Sequence, residues 1–294
     1  MSTAPAIVAA EEPIRRAPIG ILELASRNSG VIVGLAMVAA LFLIALLAPV
    51  ISPQDPIATN PDNAYLPPLG GGHVLGTDEL GRDQLSRVLW GARVSLPVAL
   101  IAIAVGLVGG GVFGLVSGYA GGLTDLLLMR VIDALLAFPA LILAIGLVAA
   151  LGPSLRNAMI AIGIVAIPVY ARLVRASVLQ LKQMEFIVAT RSLGATPLRL
   201  IVRHLIPNLM NPLIVQVSLS AGFAMLAEAI LSFLGLGAQP PTPDWGQMIT
   251  TGRTFLPNDP WLAIVPGSAI SLAVFSFNLL GDSLRDALDP RLRS

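Results

Sequence analysis

The chain has 294 residues, 55% hydrophobic and 12% charged, with a net charge of +1 and a mean hydropathy of +0.83. Soluble domains carry about 25% charged residues, so a water-soluble globular protein is excluded, and a net charge this small gives no field that gathers nucleic acid. The absence of cysteine excludes a disulfide framework, a thiol nucleophile and a thiolate metal site.

Residues 1–28 read as an N-terminal tail. The first apolar run, Val31 to Ile51, is 21 residues long. A signal-peptide core is about 7–15 residues, so 29–51 reads as a retained first transmembrane helix. The segment 52–93 begins rich in Pro and Gly, with Pro53, Pro56, Pro61, Pro67, Pro68 and Gly70 to Gly72, and ends in a polar stretch from Asp78 to Arg93. There Asp78, Arg82, Asp83 and Arg87 recur at helical spacing, while Leu80, Leu85, Val88 and Leu89 gather on another side. That pattern predicts an amphipathic helix at the membrane interface. It would cap the bundle or meet a substrate or binding protein.

About 20 apolar residues cross about 30 Å of hydrocarbon as a helix. Further segments of that kind lie at 94–118, 126–150, 157–177, 208–236 and 262–281, making six spans of an all-α membrane protein. Gly106, Gly109, Gly110, Gly111 and Gly114 predict close helix packing, because lipid offers no hydrophobic drive between spans and small residues let backbones approach. Residues 94–282 form a five-helix core that includes the polar loop 178–207. The loop 237–261 is proline-rich and reads as an ordered cap, and 283–294 as a C-terminal tail.

Lys and Arg set the orientation. With the N-terminus inside, the inner segments hold 13 of them: Arg15, Arg16 and Arg27; Arg130; Arg172, Arg175, Lys182, Arg191, Arg199 and Arg203; and Arg285, Arg291 and Arg293. The outer segments hold five: Arg82, Arg87, Arg93, Arg156 and Arg253. Both termini and the loop 178–207 are therefore expected in the cytoplasm, and 52–93 outside.

The loop 178–207 is a basic interruption in an oily chain, with Lys182, Arg191, Arg199, Arg203 and His204. A helix-like run ends at Gly194, which tolerates positive φ. A second begins around Thr196-Pro197, where Pro suits the first helical position. A short helix, a turn and a second helix present a rigid handle to a soluble partner. The alternative is a basic loop held at lipid headgroups.

Catalytic signatures are missing. No Gly-x-x-x-x-Gly-Lys-Ser/Thr loop occurs, and the glycine cluster at 109–114 sits within a span. His73 and His204 are the only histidines and lack metal-ligand spacing. No Ser/His/Asp set stands out, so the chain does not read as an enzyme.

The handle carries Ala189-Thr190-Arg191-Ser192-Leu193-Gly194 and then Arg203-His204-Leu205-Ile206-Pro207-Asn208. Here the chain resembles the inner-membrane permease subunits of ABC importers, which share a Glu-Ala-Ala…Gly…Ile-x-Leu-Pro loop. Val188 stands at the family's Glu and Thr190 at its second Ala, and Glu185 lies three residues upstream. Three further stretches are similar to the dipeptide/oligopeptide permeases of the DppC/OppC type: Gly76 to Arg87 with Gly91 to Leu96; Ser232 to Gly237 with Gln239 to Gly246; and Gly281 to Pro290. The resemblance covers about residues 28–293.

That resemblance implies the type I ABC importer permease fold. It also implies a coupling helix docked on an ATPase subunit, carried by Glu185, Ala189, Thr190, Arg191, Ser192, Leu193, Gly194, Ala195, Thr196 and Pro197. The implied partners are a second homologous permease, two ATP-binding cassette ATPases and an extracytoplasmic solute-binding protein, in a bacterial inner membrane. ATP would be bound by the ATPases, with no cofactor in this chain. Dipeptides or oligopeptides are the expected cargo, with nickel or another small solute as the alternative.

Two charges lie inside spans, where they usually face the bundle interior or a watery path. Asp133 follows Arg130 by three positions, so the two are expected to pair on one helix face, as a structural ion pair or a gating element. Glu228 has no basic residue within four positions. It either lines the translocation path and favours cationic groups such as a peptide amino terminus, or makes a buried hydrogen bond to a neighbouring helix. A rival function, an autonomous secondary transporter, predicts an internal repeat and more intramembrane charges, neither of which is evident.

Overall fold

A computed structural model describes residues 28–288. The expected tail residues 1–27 and the last residues 289–294, with Arg15, Arg16, Arg27, Arg291 and Arg293, lie outside the described residues. Among the described residues the regular structure is helical. The sole strand-like feature among them is an isolated bridge between Thr77 and Asp83.

Helix α1 spans Ser29–Ile51, and the Asn28 side chain accepts from Gly30 N at 2.9 Å to cap it. Helix α2 runs unbroken over 37 residues, Gln84–Ala120. Asp83 caps it, accepting from Ser86 N at 2.7 Å and Ser86 Oγ at 2.6 Å. The amphipathic helix expected over Asp78–Arg93 is therefore corrected. Asp78 spends one carboxylate oxygen on the backbone N–H groups of Leu80 and Arg82, an arrangement that competes with a helix. The helix starts only at Gln84, and Gln84 and Arg87 are buried in protein, not laid on headgroups.

The third span also differs from expectation. Its helix is broken into α3, Gly122–Leu136, and α4, Ala140–Leu151, bent by 89°. Pro139 lies in the break. It has no N–H to donate and disfavours helical geometry at Phe138. Helix α5 spans Leu155–Leu181, capped by Ser154. The short α6, Glu185–Ser192, and α7, Pro197–Leu200, follow. A π turn over Ile201–Leu205 leads into α8, Ile206–Phe233. Helix α9 is Trp245–Thr254 and α10 is Trp261–Leu288. Among the described residues five helices are long and apolar enough to cross a membrane, six if the bent pair counts as one span.

The bundle has two dissimilar ends. Residues 52–83 and 234–260 gather at one, joined by the Tyr65–Phe255 ring contact at 5.1 Å and by Gln84 Nε2 donating to Leu262 O at 3.3 Å. The opposite end holds the start of α1, the end of α2, α6 and α7.

Helices α2 and α5 press together along a glycine stripe. A Cβ on Gly106 would stand 2.7 Å from Ala166 Cβ, and Cβ atoms on Gly110 and Gly114 would run into the carbonyls of Ile167 and Ala171. The expected close packing is present at these positions, whereas Gly111 faces open space. Around the stripe lies a core that includes Leu96, Ile103, Val148, Tyr170, Met225 and Phe277. The large apolar side chains left outside, such as Leu46 and Val50 of α1, suit contact with lipid tails.

Candidate functional site

The residues singled out in the polar loop fall on one continuous projection. Glu185 opens α6 in its first turn, where a negative charge complements the N-terminal helix dipole. Ala189, Arg191 and Ser192 are exposed and Thr190 half-buried, its hydroxyl donating to Phe186 O at 2.6 Å. The helix closes in a Schellman motif. Ala195 N donates to Thr190 O at 3.3 Å and Gly194 N to Arg191 O at 3.0 Å, with Gly194 at φ +79°. The Thr196 hydroxyl then accepts from Arg199 N at 3.4 Å, with Pro197 in the first position of α7. The helix–turn–helix expected from Gly194 and Pro197 is thus what the chain builds.

The projection is anchored from below. Ile187 drops into a small core formed by Val174, Val178, Leu181, Leu200, Leu205 and Leu209, with Ala195 against it. Outward it shows an apolar face: Leu193 is 89% exposed and Leu198 72%. Val188, at the position of the family's Glu, is also exposed. Exposed apolar side chains on such a projection suit contact with another protein or with a membrane surface.

Three charged joints tie this end to the spans. The Arg175 guanidinium meets both oxygens of Asp125 at 2.6 Å, and Asp125 also accepts from the Ser117 hydroxyl, so α5, α3 and α2 meet at one carboxylate. Lys182 donates to Gly118 O at 3.1 Å and Tyr119 O at 2.8 Å. It serves the C-terminal end of α2 and is not part of the exposed basic face. Asp133 pairs with Arg172 at 2.7 Å, which corrects the expected Arg130 partner. The nearest cation in sequence loses to one brought close by packing of α3 on α5.

At the far end the polar loop is built around buried charge. Asp78 pairs with Arg82 at 2.7 Å and Arg87 at 3.3 Å, and Arg82 also reaches Glu79 at 2.9 Å. Arg87 donates to Pro56 O at 3.0 Å. Burial, then the adjacent Asp78 charge, push the Glu79 carboxyl above its ordinary range despite Arg82 beside it. Trp245, buried at the start of α9, donates from Nε1 to Val88 O at 2.9 Å, across the face left bare by Gly91.

Glu228 sits near this end of α8, 1% exposed. Ser232 Oγ lies 3.0 Å from Glu228 Oε1 and 3.3 Å from Asp244 Oδ2. Asp244 in turn caps α9 by accepting from Gln247 N at 2.9 Å. Glu228 is thus buried beside Ser232 of its own helix, which links it to Asp244 at the start of α9. Glu228 and Asp133 lie on different helices with different partners and form no common site. Sequence reasoning missed Trp245, Asp125 and the capping role of Lys182. The N-cap pattern Asp244-x-x-Gln247 was the one available signal for the α8–α9 joint.

Comparison with known proteins bears on both ends. The family described as binding-protein-dependent transport system inner membrane component matches residues 110–294. The N-terminal transmembrane domain of oligopeptide transport permease C matches residues 25–68. The chain is 46% identical to the dipeptide transport system permease protein DppC of Alkalihalophilus pseudofirmus, over 91% of this chain and 88% of that one. It is 44% identical to the di/tripeptide transport system permease protein DppC of Pseudomonas aeruginosa, over 92% and 90%. Among solved structures, a chain of the inward-facing MetNI methionine ABC transporter aligns with TM-score 0.56 and 18% identity, over 70% of this chain and 98% of that one. At that identity the likeness shows the fold alone.

Proposed function

The chain belongs to the family of binding-protein-dependent transport system inner membrane components, as a permease subunit of an ABC importer of the DppC/OppC type, and from that premise we propose how it works and what it carries. The cargo is di- or oligopeptide, as in the names of its relatives. The subunit pairs with a second, homologous permease in a bacterial inner membrane, with both termini and α6 on the cytoplasmic side. Two ATPases bind the nucleotide and a solute-binding protein delivers cargo to the end formed by residues 52–83 and 234–260.

In this reading residues 185–197 are the coupling element. Glu185, Ala189, Arg191, Ser192 and Leu193 meet an ATPase, and the Thr190–Pro197 turn holds their helix at a fixed angle. ATP binding draws the ATPases together, moves this lever and tilts α5 and α8, which share its small core. Alternating access follows from rocking of those spans. The observation that carries the reading is the closed helix–turn–helix with an exposed apolar face set on that core.

The test is reconstitution of the complex co-purified with a tagged copy. Uptake of a radiolabelled dipeptide that requires ATP and binding protein is expected. Uptake that survives ATP depletion and collapses with an ion gradient would overturn the coupling role.

A further inference from the structure

A cavity of about 870 Å³ opens where α1 ends, between the loop after it, the first turns of α2 and the loop before α9. Ligand pockets commonly span about 300–1,000 Å³. Five prolines line it: Pro49, Pro53 and Pro56 from the end of α1 and the loop after it, and Pro241 and Pro243 from the loop before α9. Proline walls are stiff, so the space is preformed.

Its polar lining is unusual. The Arg93 guanidinium stands 4.9 Å from the Trp90 ring centroid and makes no ion pair among the described residues. The Trp90 indole N–H is buried without an acceptor among the described residues, and a buried donor left unmade is costly. Both donors are carried by α2, three positions apart. The opposite charge comes from Asp55, on the loop after α1; one of its oxygens accepts from Ile57 N at 3.0 Å. Acid and base thus line one apolar-walled cavity without pairing with each other.

We propose that this cavity binds a zwitterion: an oxyanion on Arg93 and Trp90 and an ammonium on Asp55. Two sources supply that chemistry at this depth. One is a phospholipid headgroup carrying phosphate and ethanolamine, its chains lying along the exposed Leu46 and Val50 of α1. The other is a short free peptide, and only that source rests on the peptide reading above. Arginine suits either oxyanion because its planar fork donates twice.

The assembled complex in phosphatidylglycerol nanodiscs provides the test, since that lipid has no ammonium. The unfolding midpoint is followed as phosphatidylethanolamine is added to the bilayer or dialanine to the water. One of the two is expected to raise it. Arg93→Gln and Asp55→Asn should each weaken that response about tenfold, the loss of one charged contact. Arg156→Gln, an arginine exposed like Arg93 but outside the cavity, should not. Trp90→Phe, which removes only the N–H, gives a second reading if Arg93→Gln fails to assemble. A response to the lipid alone names the headgroup; a response to dialanine alone names the peptide. No response to either, an equal response to acetate, or a response untouched by the variants would overturn the proposal. Dipeptide uptake plays no part in this readout, so loss of the substrate reading leaves it standing.

Discussion

The ammonium of Lys182, just past the end of α5, closes the end of α2 by donating to the carbonyls of Gly118 and Tyr119. The last carbonyls of a helix have no partner of their own, and a cation there also meets the negative end of the dipole. The joint therefore welds the two glycine-packed helices at the end where the coupling element leaves α5. Lys182→Met keeps the apolar stem and removes both bonds. A cost of about 1–2 kcal/mol is expected, seen as a lower unfolding midpoint of the detergent-solubilised complex, with uptake reduced.

Gly194 is needed for its backbone alone. A Cβ there would meet nothing within 4 Å, yet φ is +79°. Left-handed geometry costs a non-glycine residue about 1–2 kcal/mol. Gly194→Val should abolish dipeptide uptake while leaving membrane insertion intact. Gly194→Asn should keep much of it, because Asn tolerates this region. Equal activity of the two variants would show that the turn geometry is not what matters.

The buried Asp78 holds two arginines at once. Removing one partner of a buried ion pair costs about 3–5 kcal/mol, because the remaining charge stays unpaired in protein. Asp78→Ala should therefore lower the yield of folded protein sharply. Asp133→Ala, at a pair whose side chains are 48% and 58% exposed, should change stability little. Unfolding midpoints of the two variants, compared directly, decide this.

A Cβ on Gly91 would fall 2.6 Å from Cδ1 of Trp245. Gly91→Val forces the indole from its bond to Val88 O, and overpacking of this kind costs about 1–3 kcal/mol. Tryptophan fluorescence should report a displaced Trp245, and the unfolding midpoint should fall.

At the α8–α9 joint, Asp244→Ala removes a helix cap worth about 0.5–2 kcal/mol. Glu228→Gln keeps the shape and gives Asp244 a neighbour that can donate. Stability is expected to fall in the first and hold in the second. Unchanged uptake by Glu228→Gln at limiting substrate would end the expectation that Glu228 lines the path.

The parts legible in the sequence are those set by local chemistry. Gly194 and Pro197 mark their turn because each carries a backbone preference of its own. The spans stand out because hydrocarbon demands about 20 apolar residues. Pro139 was an available sign of the broken third span, but the apolar residues on both sides of it hid the break. What depended on distant chain could not be read. Arg172 takes Asp133 from across 39 positions, and Arg82 and Arg87 look like a solvated helix face until Asp78 and Pro56 surround them. Helical spacing of charges does not say whether a helix exists there.

Helix α2 holds a last consequence in its length. At 1.5 Å per residue its 37 residues reach about 55 Å, nearly twice the hydrocarbon thickness of about 30 Å. One end is clasped by Lys182 and the other is seated in the charge network through Arg87. A tilt of about 5° over such a rod carries one tip roughly 5 Å sideways relative to the other. The chain thus contains a single-piece crank, unbroken past Pro97, whose throw is set by arithmetic and needs no relay of side chains between the two membrane faces.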